Sequence, residues 1–222
     1  MLPYAIVRSG FPVARAAPIG VDGDPIELVP FGDLAVACSP NVTRPEVVDA
    51  DAFLGVIEAI AEVGACLPLR RPTEDVSASD LERLIAGGRE QLLRRLALVD
   101  GCEEWSVRLE MVPGEIRAQN TATGGAAYLE QRRSALAEAD GISPNAARLA
   151  GELVGASAAW TRTSRLVRCS DGTPALTLLI ERAAAEAAIA GVENEARRLG
   201  ATCTISGPWP AFSFAGSLSI AA

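Results

Sequence analysis

Histidine is absent from this sequence, and so is lysine: all 20 basic residues are arginine. Without imidazole there is no Ser-His-Asp or Cys-His nucleophile system, no histidine general acid or base, and no histidine metal ligand. Without lysine there is no Schiff base and no Walker lysine to hold a phosphate. Aromatic residues are also scarce, at 5% of 222 positions. No apolar run is long enough to span a bilayer. The opening Met1-Leu2-Pro3-Tyr4 lacks the basic and apolar regions of a signal peptide. The five cysteines (Cys38, Cys66, Cys102, Cys169, Cys203) are dispersed, odd in number and never in a C-x-x-C arrangement. They read as reduced thiols in a cytoplasmic protein, with no zinc or iron–sulfur site. Carboxylate chemistry with oxygen-bound Mg²⁺ or Ca²⁺ remains open, but the residue set points away from an enzyme. The expectation is no catalytic residue, no cofactor and no metal.

The apolar fraction of 49% is ample for a buried core at this length. A net charge of −8 argues against a nucleic-acid partner, whose phosphates it would repel. The arginine pairs Arg70-Arg71, Arg94-Arg95, Arg132-Arg133 and Arg197-Arg198 are scattered, and most fall on expected helices. Solvated faces with local ion pairs account for them better than a basic patch. The most informative segment is Gly207-Pro208-Trp209-Pro210-Ala211-Phe212-Ser213-Phe214. Two prolines stiffen the chain around a tryptophan, and two phenylalanines follow at the alternate spacing of a strand. No charged residue occurs from Phe212 to Ala222.

Periodicity gives the order of elements. Leu2–Val7 reads as a buried strand, residues 10–25 as loop, and Ile26–Phe31 with Leu34–Ser39 as a hairpin turning at Gly32-Asp33. Thr43 and Glu46 form a capping-box pattern ahead of a helix carrying Phe53, Val56, Ile57, Ile60 and Ala61 and ending at Gly64. Cys66–Leu69 reads as a fourth strand. A second capping box, Ser79 with Glu82, opens a helix running to Val99 and interrupted at Gly87-Gly88. The second half repeats the theme. Trp105–Met111 alternates as a strand, helices are expected at Ala126–Ala139 and from the cap Ser143-Pro144, and Arg165–Cys169 pairs with Ala175–Ile180 across Ser170-Asp171-Gly172-Thr173. A helix over Arg182–Leu199, with Glu193 and Arg197 paired across one turn, precedes the strand Ala201–Ser206. Each half reads βαββαβ, with the first helix of the first half replaced by loop. The expected fold is therefore α+β: two tandem modified ferredoxin-like units, antiparallel sheets with helices packed on one face. The division falls near Gly101, giving domains over residues 1–101 and 102–222.

Minor features have ordinary readings. Thr121–Gly125 before a helix has no following lysine and reads as a connection; Asp22-Gly23-Asp24 lacks the further ligand spacing of a calcium loop and reads as a turn. Tyr128 reads as a core anchor, and Asn41-Val42-Thr43 as a helix entry.

The aromatic arm resembles the Gly-Pro-Trp-Pro-Pro-Tyr-Ser-Phe signature of the gas vesicle proteins GvpF and GvpL, with Ala211 and Phe212 replacing a proline and the tyrosine. Tyr4-Ala5-Ile6-Val7, Asp33–Ser39, Glu104-Trp105-Ser106-Val107-Arg108 and Gly125–Leu129 with Arg132-Arg133 are similar to further stretches of that family, in the same order. One departure stands out: Pro68-Leu69-Arg70 continues with Arg71-Pro72 where the family has Phe-Gly. The resemblance implies two modified ferredoxin-like domains in a cytoplasmic, non-enzymatic protein of gas vesicle assembly. Its implied partners are the small hydrophobic shell protein and other gas vesicle accessory proteins. Two fates are open to the arm: folding back to cover one sheet, or presenting an apolar patch to the shell protein. The candidate partner-binding residues are Trp209, Phe212, Phe214, Leu218 and Ile220. A competing reading, from fold analogy, is a small-molecule-binding regulatory module.

Overall fold

The computed structural model describes residues 1–12, 19–42, 44–110, 142–216 and 218. The helix expected at Ala126–Ala139, with Tyr128 and the Thr121–Gly125 loop, lies outside them, as do Thr43, Met111 and Ile220. The chain divides into two compact units, one of Met1–Glu103 and Trp209–Ala222, the other of Glu104–Pro208. The expected division at Gly101 gave the whole tail to the second domain; by its contacts the tail groups with the first.

In the first unit, β1 (Leu2–Arg8), β2 (Glu27–Phe31), β3 (Leu34–Ser39) and β4 (Leu67–Pro68) form a sheet in the order β2-β3-β1-β4. Neighbouring strands are antiparallel, which is the ferredoxin-like arrangement. The β2–β3 hairpin turns where expected, with Phe31 opposite Leu34. Helix α1 (Ala50–Val63) buries Phe53, Val56, Ile57 and Ile60. They pack with Leu2, Tyr4, Ala5, Val7, Ala35 and Ala37 of the sheet. The capping box expected at Thr43 and Glu46 does not open this helix. Pro45–Val47 is a separate 3-10 turn, and Asp49 is the cap, its Oδ1 accepting from the amides of Asp51 and Ala52 at 3.0 Å each.

Of the loop expected over residues 10–25, residues 13–18 lie outside the described ones, and residues 19–25 are pinned to a buried tyrosine. The Val21 amide donates to the Tyr4 hydroxyl at 3.1 Å, and that hydroxyl shares a hydrogen bond of 2.9 Å with Ser39 Oγ. Ser39 Oγ in turn donates to Asp22 Oδ1 at 3.1 Å, and the Tyr4 ring centroid lies 5.2 Å from that of Phe53. Asp22 is thus part of a structural network.

Residues on the other side of this sheet, Ile6, Leu34 and Val36, are buried as well. Helices α2 (Ala78–Ala86) and α3 (Arg89–Val99) follow β4, and α3 packs against β1 and β4. The first sheet therefore carries helices on a second face in addition to the one expected. Helix α2 is capped two residues earlier than the sequence pattern suggests: Ser77 and Asp80, not Ser79 and Glu82, form the capping box. The expected interruption at Gly87-Gly88 is a full break into two helices, as two adjacent residues of poor helix propensity allow.

The second unit is built from β5 (Cys102–Glu110), α4 (Pro144–Ser157), β6 (Thr161–Arg168), β7 (Pro174–Glu181), α5 (Ala185–Arg198) and β8 (Thr202–Trp209). Its sheet has the same topology, β6-β7-β5-β8. Ser143 caps α4, accepting from the Ala146 amide at 3.2 Å. Both helices pack on one face, around Val107, Leu109, Leu153, Leu178, Ile180 and Val192. The hairpin at residues 170–173 is held by Asp171, whose carboxylate accepts from the Thr173 amide at 2.9 Å and pairs with Arg108. The expected Glu193–Arg197 pair is replaced by neighbours one turn-step closer: Arg197 donates to Asn194 Oδ1, and Arg198 pairs with Glu195.

Candidate functional site in the aromatic arm

Strand β8 delivers the arm. Gly207 sits at φ +143°, and a Cβ there would lie 2.9 Å from Trp105 Cδ2 and Cε3 and 3.0 Å from the Glu104 carbonyl oxygen. Only hydrogen fits between strand and indole, so this glycine is required by close approach as well as by conformation. The Gly207–Pro208 bond is cis. Trp209 follows at the surface, and Pro210 and Ala211 turn inward and are buried.

The chain then does not continue as a strand. Phe212–Ala215 forms a short helix, α6, with the Ala215 amide donating to the Ala211 carbonyl at 2.9 Å. Strand spacing would set Phe212 and Phe214 on one face. On a helix, residues two apart point to nearly opposite sides, and the structure separates them accordingly. Phe214 is 6% exposed and Phe212 37%. Helix α6 packs against β4 and α3. Beyond it, Arg95 Nη1 donates to the Ala215 carbonyl at 2.6 Å, Gly216 takes φ +87°, and Leu218 is buried.

The structure divides the arm's large apolar residues between interior and surface. Phe214 and Leu218 anchor the segment in the interior, so neither belongs to an exposed patch. Trp209 and Phe212, each 37% exposed, remain at the surface. Arg95 was missed from sequence, because a pair of arginines on a helix looks the same whether it faces solvent or a distant carbonyl. Val47 and Ile19 are more exposed still, at 64% and 60%, and were not singled out either. Val47 had a visible signal, an apolar residue two positions after a proline outside the helical periodicity. Arg71, the residue departing from the family pattern, donates to the Val48 carbonyl and ties β4's exit to the turn before α1.

Among the described residues, no group of histidine, cysteine, aspartate or glutamate is placed to hold a metal ion, and no helix is long and apolar enough to cross a membrane. Burial pushes the Cys38 thiol up to about 11, with the Glu27 charge adding to the effect.

Two ferredoxin-like sheets in tandem, joined to an uncharged aromatic arm, define an α+β protein of two-unit type. The family model described as "Gas vesicle synthesis protein GvpL/GvpF" matches residues 2–216, and the chain belongs to that family. It is 28% identical to "Gas vesicle protein L" of Streptomyces sp. (strain CB03234), over 96% of this chain and 91% of that protein. The crystal structure of the gas vesicle protein GvpF from Anabaena sp. PCC7120 superposes with a TM-score of 0.66 at 13% identity, covering 96% of this chain and 94% of that one. That of GvpF from Microcystis aeruginosa gives 0.63 at 14% identity, covering 96% and 98%. These structural likenesses establish the fold. Membership of the family gives the chain a role in gas vesicle formation.

Proposed function

We propose that this protein is an accessory, minor structural component of gas vesicle assembly that contacts the small hydrophobic shell protein. It does so through Trp209 and Phe212, in the cytoplasm and at the vesicle, together with other gas vesicle accessory proteins, and without catalysing a reaction. The observation that carries the reading is the exposure of two large aromatic rings on a segment devoid of charge. Tryptophan is enriched among the residues that dominate binding energy, and a fully buried ring contributes about 1.5–3 kcal/mol. The family resemblance and the lack of histidine and lysine chemistry support an assembly role over an enzymatic one.

Truncation after Ser206 would remove Phe214 and Leu218 from the interior and so confuse unfolding with loss of contact. The discriminating variant is Trp209→Ser with Phe212→Ser, which alters surface side chains only. It is expected to keep its circular dichroism and thermal midpoint while losing capture of purified shell protein about tenfold or more, as for loss of a binding hot spot. Undiminished capture by this folded variant refutes the proposal.

A further inference from the structure

From Leu199 to Ala222 the sequence carries no charged residue, yet the short helix in this stretch is closed by a guanidinium from elsewhere. Arg95 Nη1 reaches the Ala215 carbonyl across 120 positions of sequence, at 2.6 Å. A helix of four residues is far too short to hold itself together. Its geometry is imposed by what it touches: the interior, through Phe214, Ala215 and Leu218, and the half-buried Arg95. A cationic donor at a final carbonyl is favoured by the polarity of a helix terminus. The fit is close on both sides. A Cβ on Gly216 would lie 1.7 Å from Arg95 Nη1 and 2.3 Å from its Cζ, and the φ of +87° already disfavours any side chain.

We infer that Arg95 is the positioning residue of the aromatic arm. By closing α6 on the Ala215 carbonyl it holds Phe214 inward and Phe212 outward. The surface then displays one phenylalanine beyond Trp209, where an extended arm would show two or none. That consequence for binding rests on the shell-contact reading; the latch itself is measurable without any partner.

The full chain is compared with R95A, R95K, G216A and the double variant R95A/G216A, by hydrogen exchange of the peptide spanning residues 209–216 and by capture of shell protein. R95A is expected to raise exchange at residues 212–216 about tenfold, the worth of one hydrogen bond to a charged group, with the sheet strands unchanged. R95K keeps the charge and one donor and falls between. G216A opens the latch from the other side, and in the R95A background it adds less than in the native chain, because the guanidinium it would strike is gone. Unchanged exchange in R95A, or full additivity in the double variant, overturns the inference. Loss of capture by the Trp209→Ser, Phe212→Ser double variant with full capture by R95A overturns the positioning role. Full capture by that double variant sinks the shell-contact reading instead and leaves the exchange data to decide on Arg95.

Discussion

The two sheets share one strand order but are covered by different means. In the second unit, α4 and α5 satisfy their own backbone hydrogen bonds and cover the sheet with small and branched apolar side chains, Ala146, Ala150, Ala188 and Ala196 among them. In the first unit, α1 packs on the sheet, and the non-helical residues 19–25 are tied to it as well. A loop has no internal ladder, so its polar backbone must find partners elsewhere. Here Val21 finds the Tyr4 hydroxyl, and Asp22 finds Ser39 and the Asp24 amide. A few specific hydrogen bonds around a buried phenol hold this stretch. The difference teaches that a stretch without its own ladder is held on a sheet when a polar group of that sheet takes up its hydrogen bonds.

The comparison is broken most forcefully in the second core. Leu178 is fully buried there, and Leu178→Ala should destabilise by about 2–5 kcal/mol in chemical denaturation. Amide protection should fall across β5–β8 and not across β1–β3. Equal loss in both sheets would show that the units unfold as one. A smaller effect is expected from Tyr4→Phe, which keeps the ring and removes the hydroxyl: about 1–3 kcal/mol, with the Val21 amide losing its protection. A neutral outcome would mean that the loop is held by packing alone.

Still smaller is the response of the β6–β7 hairpin to acid. The Thr173 amide first, and the Arg108 pair with it, hold Asp171 down to about 2 from an ordinary 3.8. A depressed carboxylate contributes stability that is complete above its unfolded pKa and is lost as pH falls through the folded one. The window is therefore from just under 4 down to about 2. NMR titration should find the midpoint there. Arg108→Ala should raise it without restoring 3.8, because the amide remains. The least demanding test concerns thiols. With its thiol pushed up to about 11, Cys38 should resist alkylation at pH 8 until the protein unfolds, while the half-buried Cys169 on the hairpin reacts first.

Much of this architecture was legible from residues alone. The strands, the hairpins at Gly32 and Gly172 and the helical faces of α1, α4 and α5 all follow from periodicity and turn chemistry, which are local. Helix starts were less legible, because several Ser, Thr and Asp residues compete for each cap. Asp49 prevails over Thr43 because Pro45 opens a separate turn, and Ser77 prevails over Ser79 because Asp80 answers it. In the arm, the alternation of Phe212 and Phe214 suggested a strand, and the structure has a helix. What decides the matter is Arg95, a residue no local rule connects to position 215. The first sheet's second cover was hidden for the same reason, since which helix lies on which face is fixed by tertiary contact.

One feature of the chain's path bears on its synthesis. Trp209–Ala222 group with Met1–Glu103, so the first unit is interrupted by the whole of the second. A ribosome releases β1–β4 and α1–α3 long before it supplies the plug that seals them. Until Phe214 emerges, the surface of β4 and α3 that α6 covers lacks that cover, and apolar surface left open in an incomplete chain is what favours aggregation.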